Sequence, residues 1–123
     1  MNKPTSLAGE NLVNETISSL QQKLAEKITV IDLTKIAGPT DWFIICEADN
    51  TSHTRAIADE VVKNLKAQHT RPWHEEGTEE GRWILIDYTD VVIHIMLPEL
   101  REYYNLESLW KEGVFREIPS QQE

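Results

Sequence analysis

The chain of 123 residues carries 21 acidic against 12 basic side chains, a formal net charge of −9, and is 40% hydrophobic. That balance excludes the clustered basic surface that bare nucleic acid requires. It suits a basic protein surface, towards which long-range attraction speeds encounter and salt weakens it. The one cysteine, Cys46, excludes an internal disulfide, and no apolar run approaches the roughly 20 residues that span a bilayer.

The segment Met1–Ser6 lacks the apolar core of a signal peptide, so the expected location is cytoplasmic and no membrane partner is expected. The length fits a single domain over 1–123, with its core at about 9–112 and short polar ends, the last of them from about Arg116 to Glu123. Val13, Ile17, Leu20 and Leu24 recur at helical spacing and predict a first helix over Gly9–Lys27. The β-branched run Ile28–Leu33 predicts a strand, and Gly38-Pro39 breaks the chain after it. Trp42–Cys46 is continuously apolar, as expected of a strand covered on both faces. Asn50, Thr51 and Ser52 are candidate N-caps for a helix running to about Gln68, with Ile57, Val61 and Leu65 on its inner face. Arg71–His74 reads as a short edge strand because of Pro72. Glu75–Gly81 reads as an acidic loop with two glycines. Trp83–Asp87 and Val91–Leu97 form a hairpin through Tyr88-Thr89-Asp90; Pro98 ends the second strand, and Glu99–Tyr104 and Leu106–Trp110 read as a last, short helical segment. The order α-β-β-α-β-β-β-α predicts an α/β fold, a mixed β-sheet flanked by helices.

Candidate chemistry is sparse. His53, His69, His74 and His94 have no metal-ligand spacing, so no metal is expected; His94, inside an apolar strand, reads as a core or semi-exposed histidine with one hydrogen bond. Cys46 ends a buried strand and reads as a small hydrophobe. No Gly-x-Ser-x-Gly elbow and no glycine-rich phosphate loop occurs, so neither catalytic residue nor cofactor is expected. Glu75, Glu76, Glu79, Glu80, Asp87 and Asp90 gather around turns and suit recognition better than catalysis. Of the four tryptophans, Trp83 follows the acidic loop, and an aromatic anchor with an acidic rim fits a basic partner as well as it fits a core.

Three stretches in order carry a resemblance: Asp41–Cys46 with Asn50–Val61, then Glu76-Gly77 leading to Trp83–Ile95, then Pro98–Trp110. Together, over about Leu12 to Trp110, they resemble the Iojap or ribosome-silencing-factor family. The resemblance implies a non-enzymatic translational repressor that binds the large ribosomal subunit through its fourteenth ribosomal protein. Steric blocking of subunit association would then lower translation under nutrient limitation. The acidity adds that little direct rRNA contact is expected, and the resemblance implies that a homodimer is possible for the free protein and that the fold is nucleotidyltransferase-like. That last point raises the alternative of a nucleotide-binding enzyme. The chain has no Gly-Ser pair before two acids one residue apart; the nearest spacing is Glu47-Ala48-Asp49, so the fold is expected without its catalytic motif. In the family's Trp-x-x-x-Asp segment the tryptophan is linked to the ribosomal partner, which here points to Trp83. Asp87, Tyr88, Asp90, Glu75 and Glu76 join it as candidate partner-binding residues by charge and proximity, while Trp42 is given a core role.

Overall fold

The computed structural model describes residues 5–119. The elements are α1 (Gly9–Gln22), β1 (Glu26–Asp32), β2 (Trp42–Glu47), α2 (Thr51–Lys66), β3 (His74–Glu76), β4 (Trp83–Asp87), β5 (Val91–Met96), α3 (Pro98–Tyr104), α4 (Leu106–Leu109) and β6 (Val114–Ile118). The strands form one mixed sheet in the order β3-β4-β5-β2-β1-β6. Among the described strands only β2 and β5, the central pair, run parallel.

The apolar stripes of α1 and α2 lie together on one face of this sheet. Leu12, Val13 and Leu20 from α1 and Ile57, Val61 and Leu65 from α2 are buried there. They share one cluster with Ile28 and Val30 of β1, Ile44 of β2, Ile84 of β4, and Ile93 and Ile95 of β5. A continuous core of this kind is what two amphipathic helices and one sheet face produce. Asn50 caps α2, its Oδ1 accepting from the His53 backbone N–H at 2.8 Å.

Three boundaries differ from expectation. Helix α1 stops at Gln22 rather than Lys27, because Leu24 takes a left-handed φ of 60° and the Ala25 N–H bonds back to Leu20 O at 3.0 Å. This is a Schellman-type end, usually marked by glycine, and no glycine stands here to announce it. The edge strand, expected at Arg71–His74, starts at His74 and runs to Glu76, two residues into the expected acidic loop, and pairs with β4. The polar end expected from Arg116 is corrected as well: Val114–Ile118 is a strand, β6, antiparallel to β1 with Ile28 opposite Ile118. Its side chains are mostly exposed, as on any edge strand, so it lacks the buried alternation that marks a strand in sequence. Residues 120–123 of the expected polar tail lie outside the described residues.

The other face of the sheet is covered only in part. Leu100, Leu106 and Trp110, from α3, α4 and the turn after it, pack over Ile31, Leu33, Ile45 and Met96. Arg101 fastens this cover. It donates to Glu107 Oε2 at 2.7 Å, Thr29 Oγ1 at 3.0 Å, Lys27 O at 2.6 Å and Glu47 Oε1 at 3.4 Å. The Glu47 side chain is only 8% exposed, and its carboxylate is met by that guanidinium and, at 4.0 Å, by Lys27 Nζ. Arg101→Ala is expected to lower stability by about 3 kcal/mol, the cost of stranding a buried charge. Adding Glu47→Gln to it should recover part of the loss in urea unfolding; independent, additive losses would contradict this coupling.

Candidate functional site

Strand alternation decides which candidate residues meet. On β4, Trp83, Leu85 and Asp87 point to the partly covered face, while Ile84 and Ile86 enter the helix-covered core. On β5, Val92, His94 and Met96 lie opposite them, paired with Asp87, Leu85 and Trp83. β5 is flanked by β4 and β2, so His94 is 6% exposed although its face is partly open.

The indole N–H of Trp83 donates to His94 Nδ1 at 3.0 Å. An indole can only donate, so Nδ1 must be an unprotonated acceptor and the neutral ring carries its proton on Nε2. Burial holds the imidazole well below its ordinary value, down to about 4, with Glu107 pulling weakly the other way. Trp83 is half-buried, its ring centroid 4.8 Å from that of Tyr104.

An acidic recess adjoins this pair, bordered by Glu76, Glu79, Glu80, Trp83 and Tyr104. Two glycines make it possible. Gly77 has φ +78°, and a Cβ there would stand 2.0 Å from Trp83 O; Gly81 has φ +76° and sits against Thr51 and Thr54 of α2. Thr54 Oγ1 donates to Gly81 O at 2.5 Å, and Arg55 Nη1 donates to Glu79 O at 3.2 Å. The loop backbone is thereby tied to α2 while its glutamate side chains stay exposed.

The remaining candidates are distributed differently. Asp87 joins the open face, its Oδ1 accepting from the Thr89 N–H at 2.7 Å. Glu76 pairs with His74 Nε2 at 2.8 Å. Glu75 borders the acidic recess and also a second one beside Lys63 and Lys66 of α2. Asp90 accepts from the Gly9 N–H through Oδ2 at 3.0 Å, fixing the start of α1. Tyr88 is a correction: it is 6% exposed, lies in the helix-covered core, and its hydroxyl has no partner among the described residues. Burial pushes its phenol upward, with Glu75 adding to the effect, and its side chain offers a partner no surface. Trp42 packs against the same core from a half-buried position.

Sequence reasoning missed Tyr104, Tyr103 and Phe43. Tyr103 is 79% exposed, and adjacent aromatics on a short helix were the available signal. Burial pushes the Cys46 thiol up to about 12, an inert structural side chain. Among the described residues no group of three His, Cys, Asp or Glu side chains is placed to hold a metal, and no helix is long and apolar enough to cross a membrane.

The family model described as "Ribosomal silencing factor during starvation" matches residues 6–123. A protein of Halalkalibacterium halodurans named ribosomal silencing factor RsfS is 34% identical over 87% of this chain and 92% of its own length. The mouse protein named "Mitochondrial assembly of ribosomal large subunit protein 1" is 37% identical over 80% of this chain and 44% of its own. A crystal structure of a Chromobacterium violaceum protein superposes with a TM-score of 0.82 at 30% identity, covering 85% of this chain and 88% of that one.

Because the folded His94 binds its proton more weakly than the unfolded chain does, the unfolded state holds more protons between pH 6.5 and about 4. The stability His94 contributes is complete above pH 6.5 and is lost as pH falls through that window, by roughly 3 kcal/mol at most. Urea unfolding across about pH 7 to 4 should show this slope, and His94→Gln, which can still accept from Trp83 but does not titrate, should flatten it. An unchanged slope in that variant would place the linkage on other groups.

Proposed function

This chain belongs to the ribosomal silencing factor family, and from that premise we propose that it binds the large ribosomal subunit through the subunit's fourteenth protein and sterically blocks subunit association. The coarser role follows from the family: a ribosome-associated regulator that silences translation, not an enzyme. The large subunit is supported by the name of the mouse relative, which refers to assembly of that particle.

The observation that carries the docking surface is the aromatic pair Trp83–Tyr104 beside the acidic recess of Glu76, Glu79 and Glu80. Desolvated aromatic anchors with a charged rim are the usual energetic centre of an interface. The formal charge of −9 gives the whole chain a field that attracts a basic ribosomal protein surface. Asp87 adds a carboxylate on the same face, and Tyr103 adds exposed ring surface. Blocking needs no chemistry beyond this: a bound domain at the inter-subunit face excludes the small subunit by volume.

The test is sedimentation of purified large subunits with the protein, before and after small subunits are added. Wild-type protein should comigrate with the large subunit and reduce joined ribosomes. Trp83→Ala should weaken binding by about 2 kcal/mol, roughly 30-fold. The triple change Glu76→Gln, Glu79→Gln, Glu80→Gln, which leaves the core untouched, should slow association and flatten its salt dependence. Normal comigration by both variants would move the docking surface elsewhere on the molecule.

A further inference from the structure

A groove of about 550 Å³ runs along the open face of the sheet, beyond the cover of α4. Its walls are Phe43, Leu85, Val92, Leu106, Trp73 and Trp110. The rings of Phe43 and Trp110 stand 5.6 Å apart and form one continuous aromatic side. That volume falls within the range of small-molecule sites, roughly 300–1,000 Å³, in which apolar walls surround a few placed polar groups.

Two such groups are present. His94 lines the groove and is more than nine-tenths buried. Trp83 occupies its Nδ1, so its one proton sits on Nε2, and Nε2 has no partner among the described residues. The floor of the groove therefore presents a donor of fixed position among apolar walls. Asp87 lines the same groove: Oδ1 is held by the Thr89 N–H, and Oδ2 has no partner among the described residues. Asp87 and His94 occupy diagonal positions on adjacent strands of one face, since Leu85 is the residue directly opposite His94. Such positions lie on the order of 7–8 Å apart, within reach of one small ligand for both side chains.

We propose that this groove binds a small planar heteroaromatic amine, its ring face against Phe43 and Trp110, a ring nitrogen accepting from His94 Nε2–H, and its amino group donating to Asp87. Aromatic walls select a flat ring. The fixed donor selects an unprotonated acceptor, and the carboxylate selects a donor. Phosphorylated or carboxylated ligands are disfavoured by Asp87 and by the chain's charge of −9. This site does not rest on the ribosome reading, since it is complete within the isolated chain.

The probes are 4-aminoquinazoline, which carries both features, and 3-methylquinazolin-4-one, in which a carbonyl replaces the amino group and no ring N–H remains. Each is titrated into the full chain by calorimetry, with the His94 side-chain nitrogen resonances followed in parallel. 4-Aminoquinazoline is expected to bind at least tenfold more tightly and to shift the Nε2 signal more than the Nδ1 signal. Asp87→Asn, whose amide can donate to a carbonyl, should erase or reverse that preference. Val92→Phe, which fills the groove and leaves both polar groups, should abolish binding of both probes. Equal affinity for the two probes, no binding of either at millimolar concentration, or binding unchanged in Val92→Phe would each overturn the proposal. Normal comigration of the Glu76, Glu79, Glu80 triple glutamine variant with the large subunit, with probe binding intact, would count only against the docking reading.

Discussion

The Trp83–His94 hydrogen bond ties β4 to β5 on the open sheet face. A donor that cannot accept and an imidazole that burial keeps neutral near pH 7 leave one arrangement of protons. That arrangement holds the indole against β5, which brings its ring to Tyr104 and to the edge of the acidic recess. It also turns the remaining imidazole N–H away from Trp83 and towards the groove. The acidic recess and the apolar groove are thus two neighbours on either side of one hydrogen bond. A change in that bond reaches both.

The unequal cover of the sheet has the same importance on a larger scale. Two amphipathic helices fill one face completely, which is where the large buried side chains concentrate. The second face receives two short helices without a buried residue of their own, held by Arg101 and a few partly buried apolar side chains. A sheet face that is half covered keeps aromatic and apolar side chains at the surface, where they are available to a partner or a ligand. The charged network around Arg101 stabilises the cover through specific geometry rather than through buried area.

Much of the fold is read directly from the chain. Helices α1 and α2, strands β1, β2, β4 and β5 and the β4–β5 hairpin follow from periodicity and turn residues, because each buries a regular face. The misses share a cause. The end of α1 rests on a leucine in a conformation usually left to glycine, and β3 and β6 are edge strands with exposed side chains. Neither leaves a hydrophobic pattern for sequence to show. The candidate site was half legible: Trp83, Asp87 and Glu76 border the recess and groove of the open face, whereas Tyr88 is in the core and Asp90 fixes α1.

By itself the sequence determined the fold class, the acidic character and the three ordered stretches that mark the family, because these depend on composition and local order along the chain. Only the tertiary structure decided which residues act together. Phe43, His94 and Trp110 come from separate segments, and nothing in their spacing relates them. The parallel pairing of β2 with β5 brings Phe43 beside Val92 and Ile45 beside His94, and the return of α4 sets Trp110 over Phe43. Such proximity is fixed by long-range pairing, which a single sequence does not encode locally.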